Sequence, residues 1–304
     1  MHSKKLVDES FLLLEPLYSE EIINLLNNKF DEVFSKQNSA RRYVDALDIY
    51  KLGMIDEIFT PKLMTLIFSV IPNPILYHCH SYEINGLNSK PHIAEDNFLN
   101  GWHRDVDCIH DLGNSAIQHV SLFVYLTNVG NEDGAFEVCN KKLGYFPRLF
   151  KSSNFYRITG KKGHSFLFNR TAVHRASPNQ NTIQRRVLKI SFQSKDTMVP
   201  ALNAKIKSHE KRFNLVKVQK QLPTTNILLR SLFGDGNIDD IEIEKALEKK
   251  SNNKVINFLD TKSKYEIKCK MDLSQEFRGF AKDLVFIKNL VVHKIFNLSG
   301  GAKN

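Results

Sequence analysis

The chain has 304 residues, of which 42% are hydrophobic and 25% are charged, and these values are typical of a folded protein rather than a disordered one. The formal net charge is +10, and residues 201–304 carry most of it, with 20 Lys and Arg against 12 Asp and Glu. A basic surface can bind nucleic acid or an anionic membrane, but it is more often simply solvated. Nucleic acid and membrane are therefore disfavoured as partners, and the oligomeric state is not indicated.

The cysteines and the first residues indicate a cellular compartment. Four cysteines lie far apart without a Cys-x-x-Cys pair, which argues against a zinc knuckle and against a disulfide framework. The apolar run "FLLL" at residues 11–14 is followed by Glu15 and Pro16, so it is too short for a signal peptide. No later stretch reaches membrane-spanning length without charge. We therefore expect a cytoplasmic protein.

Two helices are predicted before residue 75. The stretch "FLLLE" predicts a short strand, and Ser19 is a suitable N-cap for a helix whose first turn contains Glu20 and Glu21, where acidic residues suit the positive end of the helix. A second helix is predicted over residues 61–71, and it ends at Pro72.

Residues 75–192 have the pattern of a β-sheet protein. Short runs rich in β-branched and aromatic residues alternate with Gly, Asn and Asp, which is typical of strands joined by turns. The runs are "ILYHCHSYEI", "QHVSLFVYLTNV", "GAFEV", "GHSFLFN" and "RRVLKISF". Together with the helices on either side, they predict an α+β protein with a β barrel or sandwich at its core.

Two of these strands alternate clearly between an apolar face and a mixed face. In "RRVLKISF" the apolar face includes Arg186 at its start, and we predict that this face packs against helices outside the barrel. The mixed face should point into the barrel and contains Arg185 and Lys189, while the mixed face of "QHVSLFVYLT" contains Phe123 and Tyr125. Lys189, Phe123 and Tyr125 are therefore candidate substrate contacts, although core packing explains the two aromatic residues equally well.

After about residue 200 the strand pattern ends. Helices are predicted over residues 240–250 and 272–298, and the second has apolar residues at helical spacing. Its apolar stripe between Ser274 and Leu298 should dock on the barrel or on a partner rather than on a membrane. The predicted organisation is a β core with N-terminal helices in residues 1–200 and a basic, mainly helical extension in residues 201–304.

The stretch "GWHRDVDCIHD" at residues 101–111 contains a possible metal site. His103 and Asp105 are two positions apart, so in a strand both side chains lie on one face and can bind one ion. One such pair is weak evidence for a site, but His174, at the end of a strand–loop connection, supplies a third ligand. Two histidines and one carboxylate on one side of an ion are the arrangement of non-haem Fe(II) oxygenases, and Arg185 nearby can bind a carboxylate through two hydrogen bonds.

These motifs in this order resemble the phytanoyl-CoA dioxygenase family of Fe(II)- and 2-oxoglutarate-dependent oxygenases. The resemblance covers roughly residues 8–195 and includes the His-x-Asp pair after Trp102, the strand "SLFVYLTNVGNEDGAFEV", the later histidine, the arginine eleven residues beyond it, and the opening "FLLLEPLYSEEIINLL". It implies a double-stranded β-helix, which is a jelly-roll or cupin-like core, and Fe(II), 2-oxoglutarate and O₂ as cofactors.

The resemblance also implies a role for each site residue. His103, Asp105 and His174 would bind the iron and form the catalytic centre, and Arg185 would bind the distal carboxylate of 2-oxoglutarate. At residue 176 the chain has Ala where the family often has a serine that helps to hold the cosubstrate, and Ser177 is the candidate substitute.

The activity implied is hydroxylation of an unactivated C–H bond of a small molecule, with release of succinate and CO₂. Asp105 disfavours halogenation, because related halogenases lack the carboxylate ligand. A non-catalytic binding module and an oxygenase acting on nucleic acid or protein remain alternatives.

Two further motifs have simpler explanations. The "HRD" at residues 103–105 is not a kinase loop, since no Gly-rich phosphate loop precedes it. His78 and His80 could form a second metal pair, but they are more simply explained as packed or solvated histidines.

Overall fold

The computed structural model describes residues 6, 9–87, 103, 105, 119–139, 154–195, 214–250, 258–259, 265–268, 284, 288 and 291. The strands are β1 (Phe11–Leu14), β2 (Arg41–Asp45), β3 (Pro74–Ile84), β4 (His119–Tyr125), β5 (Phe136–Cys139), β6 (Asn154–Ile158), β7 (Ser165–Asn169), β8 (His174–Ala176), β9 (Arg185–Ser194), β10 (Phe258–Leu259) and β11 (Glu266–Lys268). The helices are α1 (Glu20–Phe34), α2 (Ala46–Lys51), α3 (Ile55–Ile58), α4 (Pro61–Val70), α5 (Ile227–Leu232) and α6 (Asp240–Lys250).

The strands form two antiparallel sheets. The major sheet has seven strands in the order β10-β1-β7-β4-β9-β3-β2, and the minor sheet has four in the order β11-β6-β5-β8. Between them lies the inner core, a buried cluster that contains Phe123 and Phe166 of the major sheet and Phe136 and Ile158 of the minor sheet. Two antiparallel sheets closed over a shared core are the architecture of a double-stranded β-helix, which confirms the predicted fold class.

The alternating strands divide their residues between two cores, as predicted. Leu188, Ile190 and Phe192 of β9 belong to the outer core, the buried cluster between the major sheet and the helices, whereas Val187 belongs to the inner core. Strand β4 divides in the same way, with Val120, Leu122 and Val124 in the outer core and Phe123 and Tyr125 in the inner core. The mixed face of each strand therefore lines the interior of the barrel.

The N-terminal helices form where the sequence predicts them. Ser19 accepts a hydrogen bond from the backbone N–H of Ile22 at the start of α1, and Thr60 does the same for Leu63 at the start of α4, where Pro61 takes the first helical position. Four residues of α1 at helical spacing are buried in or beside the outer core: Ile23, Leu26, Phe30 and Phe34.

The C-terminal residues join the core at two places. Helix α5 contributes Leu228 and Leu232 to the outer core, and the Phe233 ring packs edge-on against Phe59 at 5.5 Å between ring centres. Strand β10 pairs with β1 of the major sheet, and β11 pairs with β6 of the minor sheet. The prediction of a mainly helical extension did not include these strands, which are only two and three residues long.

The predicted helix over residues 272–298 lies outside the described residues except at three positions. Leu284, Lys288 and Val291 are helical and exposed. None of the helices that the structure describes combines the length and the apolar character that crossing a bilayer requires.

Arg186 lies outside the barrel, as predicted from its strand face. Its guanidinium donates to Glu83 Oε2 at 2.6 and 2.9 Å and to Asp31 Oδ1 of helix α1 at 2.7 Å. Glu83 also accepts from Arg42, and only 1% of its surface is exposed. This buried ion pair network ties α1 to β3 and β9, on the side of the major sheet away from the minor sheet.

We expect Glu83→Gln to lower the free energy of unfolding by about 3 kcal/mol, because it leaves two arginine side chains beside a neutral partner. Denaturant unfolding followed by circular dichroism measures this change. The control is Glu32→Gln, which removes an exposed partner of Lys29 on α1 and should change stability by less than about 0.5 kcal/mol. Equal effects of the two substitutions would contradict a stabilising role for the network.

Candidate metal centre and cosubstrate site

His103 and Asp105 are held by backbone contacts to β8 and to the residues just before it. His103 and His174 exchange two backbone hydrogen bonds, both of 2.9 Å, which makes an antiparallel bridge. The backbone N–H of Asp105 donates to the carbonyl of Arg170 at 3.1 Å. Because His103 and Asp105 are two residues apart, this backbone pairing places both side chains next to that of His174. The structure thus brings together the three residues that the sequence predicts as ligands.

One ligand atom from each of these three residues lies within 4.8 Å of the others, and no further group of this kind occurs among the described residues. Asp105 Oδ1 lies 3.6 Å from Nε2 of His103 and 3.6 Å from Nε2 of His174. Two ligands at a right angle around a metal, with bonds of about 2.1 Å, are about 3 Å apart, so a small movement brings these atoms to bonding distance. The cluster is therefore slightly wider than a bound divalent metal requires.

The protonation of the site favours metal binding. Nδ1 of His174 lies 2.9 Å from the carbonyl of Ala172, so the ring donates its proton there and Nε2 keeps a lone pair for a metal. Burial, together with the nearby His103, lowers the pKa of His174 to about 4. Burial raises the pKa of Asp105, but Lys189 and the two histidines outweigh it and hold this pKa well below the usual range. Neutral imidazole and ionised carboxylate are the states that ligate metals.

Two buried cations contact the carboxylate of Asp105. Lys189 Nζ donates to Oδ2 at 2.9 Å, and Arg170 Nε lies 3.4 Å from the same oxygen. The Arg170 guanidinium also lies 4.1 Å from the centre of the Tyr77 ring. Lys189 points into the barrel as its strand face predicts. Sequence reasoning missed Arg170, since it lies just after β7 in a stretch without any pattern that indicates where its side chain points.

Arg185 is a buried cation with no carboxylate partner in the part of the chain that the structure describes. It is 1% exposed, and its guanidinium donates to the Gly134 carbonyl and, at 3.0 Å, to the Tyr82 hydroxyl. Among the described residues no carboxylate oxygen lies within 4.0 Å of it, and its Nε has no hydrogen bond partner. Gly134 has a φ of 73°, which favours glycine, and an added Cβ would lie 3.6 Å from Arg185 Cδ. A buried charge without a counter-charge is costly, so the surroundings of Arg185 are suited to an anionic ligand.

The match to known proteins agrees with this site. The sequence model of the phytanoyl-CoA dioxygenase (PhyH) family matches residues 11–187, which is more than half of the chain. The chain belongs to the phytanoyl-CoA dioxygenase family. Iron and 2-oxoglutarate are the cofactors of this family. The three clustered side chains, and Arg185 without a carboxylate partner among the described residues, are of the types that these cofactors require.

Solved structures of similar fold share little sequence with this family member. SnoK, the non-haem α-ketoglutarate-dependent carbocyclase of nogalamycin biosynthesis, has a TM-score of 0.50 and 12% identity over 69% of this chain and 89% of its own. HygX from Streptomyces hygroscopicus, crystallised with nickel, 2-oxoglutarate and hygromycin B, has a TM-score of 0.42 and 13% identity over 62% and 84%. At such identity the likeness to SnoK shows the fold alone. No curated protein sequence matches the chain.

Ser177 is the predicted substitute for the family's serine, and its neighbours differ from those of His174. It is one residue beyond Ala176 and lies with Arg157 and Arg175 at a small pocket of about 340 Å³. Its buried Oγ has no hydrogen bond partner among the described residues, and its carbonyl, rather than its hydroxyl, lies near Gly134. A contact between Ser177 and the cosubstrate stays a prediction.

Phe123 and Tyr125 lie in the inner core of this family member. The Tyr125 hydroxyl donates to the Ile158 carbonyl at 2.6 Å and accepts from the N–H of Phe136 at 3.1 Å, so it links the two sheets. The Phe123 ring packs against those of Phe136 and Phe166, with centres 5.0 and 5.3 Å away. The structure gives both residues a packing role, and their contact with substrate stays a prediction.

His78 and His80 face the same interior but are not part of the metal cluster. Their ring centres are 4.6 Å apart, and His78 Nε2 lies 3.3 Å from Ser191 Oγ, which in turn bonds Ser121 Oγ at 2.6 Å. Burial, then the nearby His80, Lys189 and Arg170, lower the pKa of His78 well below 6.5, although Asp105 acts in the opposite direction. A packed, neutral His78 agrees with the simpler interpretation of this pair.

We expect His78 to destabilise the protein in mild acid. The unfolded chain takes up a proton at His78 near pH 6.5 and the folded chain does not, so its contribution to stability is complete above this pH and is lost as the pH falls. Each pH unit between the unfolded and folded pKa values costs about 1.4 kcal/mol. Melting temperatures at pH 7.5 and 5.5 should therefore differ less in His78→Gln than in the wild type, and an equal difference would contradict a neutral His78.

Proposed function

We propose that the protein is an Fe(II)- and 2-oxoglutarate-dependent dioxygenase that hydroxylates an unactivated C–H bond of a small molecule. The observation that carries this proposal is the cluster of His103, Asp105 and His174 in the same barrel interior as Arg185, a buried cation without a carboxylate partner among the described residues. When bound, iron supplies the oxidative chemistry, in which 2-oxoglutarate and O₂ yield succinate, CO₂ and a hydroxylated product.

In this proposal each residue has one task. The two histidines and Asp105 would hold the metal, which with three protein ligands would remain accessible to 2-oxoglutarate and O₂. Arg185 binds the distal carboxylate of the cosubstrate through charge-assisted hydrogen bonds, and the Tyr82 hydroxyl, 3.0 Å from the guanidinium, keeps the arginine oriented. The aromatic inner core around Phe123 restricts water next to the reacting groups.

The extent of the enzyme and its location are part of the same proposal. Residues 1–200 form the catalytic core, and residues 201–304 are an extension whose strands β10 and β11 complete the two sheets. We place the protein in the cytoplasm and propose a small-molecule substrate. SnoK is named a carbocyclase and SnoN, with 14% identity and a TM-score of 0.49, an epimerase, so the reaction product must be measured as well as succinate.

The test is anaerobic loading with Fe(II), followed by O₂ and a panel of small molecules. We expect one bound iron per chain, succinate formed from 2-oxoglutarate, and a product heavier by one oxygen atom with the right substrate. The His174→Ala variant is the control and should form no succinate above background. A wild-type protein that binds neither iron nor 2-oxoglutarate would be a binding module rather than an enzyme. A product that has lost two hydrogens would show that the reaction is desaturation or ring closure instead of hydroxylation.

A further inference from the structure

The two oxygens of Asp105 have different neighbours. Oδ1 is the oxygen beside both histidines, at 3.6 Å from each Nε2. Oδ2 is the oxygen that Lys189 and Arg170 contact. We propose that Lys189 and Arg170 are positioning residues that hold Oδ2 away from the metal, so that Asp105 binds it through Oδ1 alone. This inference rests on the metal centre of the proposed function.

Both cations are fixed by structure that does not involve the metal. Lys189 lies in the middle of β9, between His80 of β3 and Phe123 of β4, and its ammonium is 5.6 and 5.7 Å from the centres of the Phe123 and Phe168 rings. The backbone N–H of Arg170 donates to the His119 carbonyl. The side chains of Lys189 and Arg170 are 10% and 2% exposed. Two fixed donors fill the two lone pairs that a carboxylate oxygen offers.

Binding through one oxygen determines how many positions stay open at the metal. An octahedral ion with three protein ligands has three open positions, which suffice for the two chelating atoms of 2-oxoglutarate and for O₂. If Asp105 bound through both oxygens, it would occupy one of these positions and compete with the cosubstrate. The contacts to Oδ2 prevent this, although two cations so close to the ion also weaken metal binding by repulsion.

These two effects have opposite consequences when Lys189 is removed. In Lys189→Met the repulsion falls and Asp105 is free to bind through both oxygens, so metal binding should tighten. The cosubstrate loses a coordination position, so its binding should weaken. A general loss of structure would weaken both, and the opposite directions therefore identify the positioning role.

The experiment is calorimetry with Ni(II), followed by 2-oxoglutarate added to the Ni(II)-loaded protein. We expect Lys189→Met to bind Ni(II) several-fold more tightly and 2-oxoglutarate about 10-fold more weakly than the wild type. Lys189→Arg keeps the charge and the donor and should remain within about threefold of the wild type for both ligands. The control Lys162→Met removes a lysine that pairs with Asn24 and Glu20 outside the barrel, and it should change neither affinity.

A crystal structure of each Ni(II)-loaded protein shows directly how many oxygens of Asp105 bind the metal. We expect one oxygen of Asp105 at bonding distance in the wild type and both oxygens in Lys189→Met. Binding through one oxygen in both proteins, or unchanged 2-oxoglutarate affinity, would overturn the inference and leave the proposed function standing. If Lys189→Met does not fold, Arg170→Met removes the other donor to Oδ2, and we expect it too to tighten Ni(II) binding and weaken 2-oxoglutarate binding. A wild-type protein that binds no Ni(II) would instead remove the proposed function and this inference with it.

Discussion

Arg185→Gln should raise the KM for 2-oxoglutarate about 100-fold, because it removes the charged partner of a buried carboxylate, and truncation of such a pair costs about 2–5 kcal/mol. Arg185 has no carboxylate partner among the described residues, so the substitution breaks no ion pair that the structure shows and removes only hydrogen bonds to the Gly134 carbonyl and the Tyr82 hydroxyl. The melting temperature of the ligand-free variant should therefore fall only slightly. Steady-state kinetics with varied 2-oxoglutarate and a thermal melt measure the two effects.

The matched control is the neighbouring arginine on the opposite strand face. Arg186→Gln should change the KM for 2-oxoglutarate by less than about twofold, because Arg186 contacts Glu83 and Asp31 outside the barrel. It should lower the melting temperature more than Arg185→Gln does, because it breaks ion pairs with Glu83 and Asp31. The reverse ranking of the two KM values would show that Arg185 does not bind the cosubstrate.

Asp105→Ala should abolish turnover and weaken metal binding by more than about 100-fold, since the change removes the anionic member of the three proposed ligands and leaves Lys189 and Arg170 to repel the ion. Sequence reasoning predicts that the fold survives this change largely intact, because an open metal site adds little to core packing. The structure predicts a further cost of about 3 kcal/mol in unfolding free energy, because two buried cations lose their counter-charge. Metal titration, succinate formation and denaturant unfolding measure the three effects.

Asp105→Asn separates charge from shape in the same experiment. The amide has nearly the size of the carboxylate and can still accept a hydrogen bond from Lys189, so part of the lost stability should return. Metal binding should stay weak, because the charge is still absent. Full activity in either variant would exclude Asp105 as a metal ligand.

The strands that alternate were predictable, and they position two cations of the site, Arg185 and Lys189. The pattern in β4 and β9 depends only on residues two apart, so it placed Arg185 and Lys189 inside the barrel and Arg186 outside it before any contact was known. The Ser19 cap was predictable for the same reason, because an N-cap depends only on the serine and on the residues that directly follow it.

What could not be predicted depends on neighbours that are distant in the sequence. Arg170 and Asp105 are 65 residues apart, and only the backbone pairing between Asp105 and the segment after β7 brings their side chains together. The strand β2 carries two arginines on an edge, and β10 has only two residues, so neither has the apolar alternation that identifies a strand. The packing role of Tyr125 likewise follows from a hydroxyl bond to the opposite sheet.

The pairing of β10 with β1 and of β11 with β6 has a consequence for any shortened version of this chain. A protein that ends near residue 200 would leave the backbone N–H and C=O groups of β1 and β6 without these partners, one on each sheet. Open strand edges of this kind are templates on which a second molecule can add its own strand. We therefore expect a chain shortened near residue 200 to self-associate during purification, even though His103, Asp105 and His174 are all present.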